Sequence, residues 1–199
     1  MPIYLARNGK MLTRVNGTRS FGEIVSPIPP EPTVYEVTIG SQTWMSKNLA
    51  VDDGQGGIYT HTVNYGQGDV TEYYYTWYAA VRVAESIEGW HLPSDSEWSR
   101  LIDSVGGHKY SGTKLKSTIG WESSPGTDEY GFTALPSGYF EISSGTAGGI
   151  GGGNCIWSAD TFTPDTAYYY YMNIVSTSLG RNTTNKERSA YSVRLIKDS

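Results

Sequence analysis

The chain has 199 residues, a formal net charge of −5 and one cysteine. Its length suits one ordinary domain with a small appendage, and its balance of charge, with no run of Lys or Arg, excludes a phosphate-reading surface and so a nucleic-acid partner. One cysteine excludes an intrachain disulfide, no apolar run is long enough for a membrane-spanning helix, and six Trp and sixteen Tyr make up for a hydrophobic content of only 38%.

Residues 1–25 read as a small β meander. Asn8-Gly9 and Asn16-Gly17 are type I′ hairpin signals between short runs such as Ile3-Tyr4-Leu5 and Met11-Leu12. Three short strands bury little, so this piece is expected to dock on another surface, copies of itself included, making it an attachment or homo-oligomerisation module. The stretch MPIYLARNGKMLTRVNG has no apolar centre and no cleavage site, so it does not read as a secretory signal. Residues 26–32, SPIPPEP, form a polyproline-like linker, and residues 33–199 form the main domain.

In that domain Val34 to Ile39 alternates, Gly40-Ser41 turns, and Gln42 to Met45 returns as a hairpin. Residues 50–70, rich in Gly and Asp, read as a loop. Trp77, Ala80, Val81 and Ala84 recur at helical spacing and predict a first helix from about Glu72 to Glu85. The second is the most legible part of the chain. In GWHLPSDSEW (89–98), Pro93 keeps Leu92 extended. Ser94 and Glu97 have the spacing of a capping box. Trp98, Leu101, Ile102 and Val105 then make one apolar face, and Gly106-Gly107 ends the helix near 105. Residues 106–155 read as long loops. Three strands follow, at Ile156–Ser158, Tyr168–Ile174 and Tyr191–Ile196. In the middle one Tyr168, Tyr170 and Met172 point inward, and Tyr169, Tyr171 and Asn173 point outward.

Few residues suggest chemistry. His91 sits inside the motif beside Trp90 and reads as structural; His61 and His108 lie in loops with no neighbouring acid or nucleophile. Cys155 opens a strand and reads as a packed thiol. Asp52-Asp53, Asp69, Glu72 and Asp128-Glu129 have the composition of a cation site but also of solvated turns, and no metal or cofactor is expected. The glycine run 148–153 precedes a strand and lacks the Gly-Lys-Ser/Thr of a phosphate loop. Binding by surface remains. Tyr, Asn, Ser and Gly form adaptable contact faces, and the last third of the chain carries that palette. The candidate ligand-binding residues are Asn154, Asp160, Phe162, Thr163, Tyr169, Tyr171, Asn173, Arg181, Asn182 and Asn185.

GWHLPSDSEW also resembles the central motif of a bacterial branch of the C-type-lectin-like fold. That branch includes the Fibrobacter succinogenes major paralogous domain, the diversity-generating-retroelement variable proteins and, more distantly, the formylglycine-generating sulfatase-modifying family. In order, IGSQTWMSKNL (39–49), YTWYAA (75–80), KLKSTIGW (114–121), YGFTALPSGY (130–139), IWSAD (156–160) and YSVRLIKD (191–198) are similar to the Fibrobacter pattern. The resemblance implies an α+β, C-type-lectin-like domain with two helices, antiparallel sheets and long loops, in which Trp90, His91, Pro93, Ser94, Glu97 and Trp98 are the structural motif. The sugar-binding calcium elements of animal lectins are missing; Trp157-Ser158-Ala159-Asp160 stands where Trp-Asn-Asp would be. The retroelement relatives imply a diversified face over 154–185. The expected function is non-catalytic: a phage-encoded or retroelement-diversified adhesin reading a protein or glycan on a host surface, placed on a virion or outside the cell. The alternatives are a secreted or surface lectin-like module for polysaccharide and, less favoured, a divergent formylglycine-type oxidase, for which a cysteine pair is lacking.

Overall fold

The computed structural model describes residues 35–198 throughout and, ahead of them, three strand segments; the chain divides into two compact units, Met1–Thr33 and Val34–Ser199. In the first unit, β1 (Ala6–Arg7), β2 (Lys10–Val15) and β3 (Thr18–Glu23) pair antiparallel in that order. The two Asn-Gly turns and the 26–32 linker lie outside the described residues.

The second unit is α+β, with three helices and mainly antiparallel sheets. It opens with a hairpin, β4 (Glu36–Ile39) and β5 (Gln42–Met45), turning at Gly40 with φ +62°. Two further strands, β6 (Ile58–Asn64) and β7 (Asp69–Tyr75), make a second hairpin where a loop and the start of a helix were expected. Helix α1 therefore begins only at Trp77 and runs to Glu85, with the Thr76 hydroxyl accepting from the Ala79 amide. The reason is burial: Tyr74 and Tyr75 are both fully buried, on opposite sides of β7, and a strand packed on both sides hides its alternation.

After β8 (Trp90–His91), helix α2 (Asp95–Ser104) follows the sequence reading closely. Ser94 Oγ accepts from the Glu97 amide at 3.3 Å, and Glu97 Oε2 accepts from the Ser94 amide at 2.8 Å, a complete capping box. A third helix, α3 (His108–Leu115), was not expected. It begins at Gly107 with no side-chain cap, and Gly112 faces Ser178 so closely that a β-carbon there would lie 2.7 Å from a backbone oxygen. Packing rather than local propensity holds it.

The remaining strands are β9 (Tyr139–Glu141), β10 (Thr146–Gly148), β11 (Gly153–Thr163), β12 (Thr166–Asn173), β13 (Gly180–Asn185), β14 (Ser189–Ala190) and β15 (Ile196–Lys197). They assemble as sheets ordered β4-β5-β15-β8, β10-β9-β14 and β11-β12-β13. β11 is far longer than the expected Ile156–Ser158 and carries register shifts beyond Trp157. The expected last strand over 191–196 is paired regularly only at its end. Its middle is buried on every side, so Ser192 and Arg194 are as hidden as Val193 and Leu195.

The β11-β12-β13 sheet lies between two cores. Ile156, Tyr170 and Met172 face a cluster with Trp44, Trp98 and Phe132; the Trp98 ring stacks on Tyr170 at 4.7 Å and meets Trp44 at 4.8 Å. Trp157 faces the other, with α1, Tyr191, Val193 and Leu195. The rings of Trp157 and Tyr191 are 4.6 Å apart. Fully burying side chains of this size stabilises the fold by roughly 1.5–3 kcal/mol each, so the sheet is clamped from both sides.

Candidate functional site

The clamped sheet leaves part of its Trp157 side open where β11, β12 and β13 meet the turn before β9. In register, Trp157, Tyr169 and Asn182 stand side by side, and the next inward row is Cys155, Tyr171 and Gly180. The Tyr169 ring lies 4.7 Å from buried Tyr191 and 6.0 Å from Tyr171. Gly180 leaves room for Tyr171 in its present position: a β-carbon there would lie 2.4 Å from the phenol ring. Across the gap stands Tyr139, 37% exposed, its ring against Gly148 and Gly149. These groups enclose a groove of about 380 Å³.

No side chain lining this groove carries a charge at neutral pH. Three tyrosines supply its apolar surface, Asn173 and Asn182 supply amide groups, and glycine backbone supplies much of the remainder. The Cys155 thiol belongs to the lining, and burial pushes its pKa up to about 12. Burial also raises Tyr169, with the neighbouring Cys155 adding to the effect. Both therefore stay neutral, and neither is an activated nucleophile.

The ten sequence-predicted residues separate into three groups. Tyr169, Tyr171, Asn173 and Asn182 line the groove, together with Asn154. Asn154 departs from expectation: it is 1% exposed, its Oδ1 accepts from the Met172 amide at 3.2 Å, and its Nδ2 has no partner. It sits on the Met172 row of β11, which faces inward, so it forms floor rather than contact surface. Asp160, Phe162 and Arg181 lie on the opposite side, near the start of α2. Asp160 accepts from the Asp95 amide at 2.5 Å and holds that helix start. Arg181 donates to Asp95 at 2.9 Å, and its guanidinium lies 4.1 Å above the Tyr168 ring. Phe162, 61% exposed, packs against the same ring. Thr163 and Asn185 occupy the hairpin end, where Thr163 bonds Thr166 and Asn185 accepts from the Glu187 amide. Sequence reasoning missed Tyr139 and the glycines facing it; the Gly138-Tyr139 pair was visible, but nothing local tells that it crosses to β12.

The motif residues have a structural setting. His91 places Nε2 2.9 Å from Glu97 and Nδ1 2.6 Å from Asp198, tying β8 to α2 and to the chain end. Burial opposes its charge, but the two carboxylates prevail and raise its pKa. The Pro93 carbonyl accepts from the Ala159 amide and from Ser158, docking the motif on β11. Trp90 stays half-buried, and Trp98 is at the centre of a core. Among the described residues, no three His, Cys, Asp or Glu side chains gather as a metal site, and no helix is long and apolar enough to cross a membrane. Of the acidic groups weighed for calcium, Asp53 pairs with Arg82 at 2.6 Å and Asp128 accepts twice from Thr133.

Fold and groove together define an α+β domain with an uncharged tyrosine–asparagine recess on a clamped antiparallel sheet. Residues 37–197 match the family described as the Fibrobacter succinogenes major domain, and the chain belongs to that family. No curated protein and no solved structure matches the chain.

Proposed function

We propose that this protein is a non-catalytic, C-type-lectin-like ligand-binding protein that reads a protein or glycan on a cell surface through the Tyr/Asn groove of β11-β12-β13. The observation that carries the reading is the groove's lining: three tyrosines and three asparagines with no charge and no activated nucleophile. Tyr gives a large contact area for two frozen torsions, and Asn gives hydrogen bonds of either polarity. In this reading the protein acts on a virion or outside a cell as a phage-encoded or retroelement-diversified adhesin. Residues 1–25 bring copies together, so that weak single sites add through avidity.

The test is fluorescent full-length protein on a panel of bacterial cells and on a glycan array, compared with a Tyr169→Ala/Tyr171→Ala variant. Binding that disappears in the variant supports the reading; binding that survives undiminished refutes it. The second reading, a lectin-like module for polysaccharide, draws on the flat tyrosine rings beside amides, which suit a sugar ring. It predicts array signals from soluble polysaccharides that a host-specific adhesin ignores. Light scattering of the full chain against one beginning at Pro32 tests the role of residues 1–25, and equal monomeric masses would remove it.

A further inference from the structure

We propose a second ligand site in the cavity of about 370 Å³ beneath the β6–β7 hairpin, taking a small uncharged molecule with an apolar ring and one O–H or N–H donor, of the phenol or indole kind. It shares no residue with the Tyr/Asn groove and does not depend on the function proposed above. Leu49, Val70, Ile119 and Leu135 give it apolar walls. Val70 is 38% exposed, an apolar side chain at the mouth. A cavity of this size, walled by apolar groups with a few converging polar atoms, has the form of small-molecule sites.

The floor is polar and ordered. Glu72 is only 4% exposed, yet it makes no ion pair among the described residues. One carboxylate oxygen accepts from the Tyr65 hydroxyl and the other from Asn48 Nδ2, each at 3.1 Å. A carboxylate has about four acceptor positions, so about two remain. Arg194, the other buried ion of the floor, is nearly saturated. Its Nε donates to Asn48, and its terminal nitrogens donate to the carbonyls of Met45, Phe132 and Thr133. The acceptor capacity still open on the floor is therefore that of Glu72. Each Glu72 oxygen already has one partner, and a ligand donor adds a further charge-assisted hydrogen bond to the carboxylate.

Charge selects the class further. Glu72 and Arg194 offset one another, and Lys47 at the rim adds a positive charge, so a cation gains little and an anion meets the Glu72 carboxylate. A neutral donor on an apolar ring satisfies walls and floor together. The Tyr65 ring, 8% exposed and packed on Gly120, keeps the floor in place without ligand.

The experiment is amide-resolved NMR titration of the full chain with p-cresol, with indole, and with 4-methylanisole, benzylamine and benzoate as controls. The expected result is saturable shifts confined to residues 47–50, 65–73, 119, 133–135 and 194, with p-cresol and indole bound about tenfold or more tightly than 4-methylanisole, which lacks the donor. Val70→Trp should abolish the shifts with an unchanged melting temperature, because it fills the mouth and leaves the floor intact. Glu72→Gln should narrow the gap between p-cresol and 4-methylanisole. No saturable shift with p-cresol or indole, equal affinity for 4-methylanisole, or shifts that persist in Val70→Trp would each overturn the proposal.

Discussion

Replacing Arg194 by Met keeps the length of the side chain and removes every donor. Four acceptors then lose their partner: Asn48 Oδ1 at 3.0 Å, the Met45 carbonyl at 3.3 Å, the Thr133 carbonyl at 3.1 Å and the Phe132 carbonyl. Arg194 is 1% exposed, so water does not replace it, and the neighbourhood of Glu72 loses its buried positive charge. Burial pulls the guanidinium down to about 10, with Glu72 and Asp128 opposing, so it is charged at neutral pH. Removing one member of such a buried charged network costs about 3–5 kcal/mol, against a total for a domain of roughly 5–15 kcal/mol. In urea the unfolding midpoint should fall by about 2 M at a slope near 2 kcal/mol/M. Arg194→Lys should recover part of this, since an ammonium reaches fewer of the four acceptors. A midpoint shift under about 0.5 M for Arg194→Met would show that the network is not a stabilising hub, and the account of this floor would be wrong.

The ionic setting of His91 gives a pH prediction. Its folded pKa lies above the unfolded value, so its contribution is complete below about 6.5 and is lost as pH rises through the folded pKa. Glu97 has the opposite sign: burial opposes its charge, but bonds from Ser94 and His91 prevail, so its contribution is complete above about 4.5 and is lost as pH falls through the folded pKa. The midpoint difference between wild type and His91→Asn should be largest at about pH 5–6 and shrink above pH 7; a difference independent of pH would contradict this. Ser94→Ala removes one side of the capping box and should cost about 1 kcal/mol by denaturant titration. Gly180→Ala should leave the melting temperature within about 2 °C while weakening surface binding about tenfold or more, because only the free end of Tyr171 has to swing away. Unchanged binding would show that the ring's position does not matter.

Much of the second unit was legible where local chemistry is self-sufficient. The Ser94–Glu97 box and Gly106-Gly107 place α2 almost to the residue, and the shared face of Tyr169, Tyr171 and Asn173 follows from alternation, although Tyr169 packs on the second core instead of pointing outward. Legibility failed where tertiary burial overrides pattern. Tyr73-Tyr74-Tyr75 reads as part of a helix because both faces of β7 are covered. β6 carries few apolar residues and so has no signature. Helix α3 has neither cap nor strong apolar face. At the site, Asn154 matched the palette of a contact residue, but its register on β11 turns it inward. Tyr139 was hidden because β9 pairs within another sheet, and the β12 tyrosines it faces across the groove lie about thirty residues on in sequence. Likewise Glu72 and Arg194 share a floor through Asn48 although they are far apart along the chain.

The buried run near the chain end has a consequence for how the protein is made. Each of the three core clusters contains a residue from 190–196: Ile196 in the first, Tyr191, Val193 and Leu195 in the second, and Ala190 in the third. The same run accepts from the Met45, Leu49, Tyr75 and Trp157 amides. At about 5–20 residues per second, roughly 8–32 s pass between the synthesis of β4 and that of this run, and until then no core is complete. The early hairpins and α1 wait with Trp44, Tyr74 and Tyr75 uncovered. Folding of the second unit therefore waits for this run and depends on contacts distant in sequence, which are slow to form. During that interval holdase chaperones and aggregation compete for the same aromatic surface.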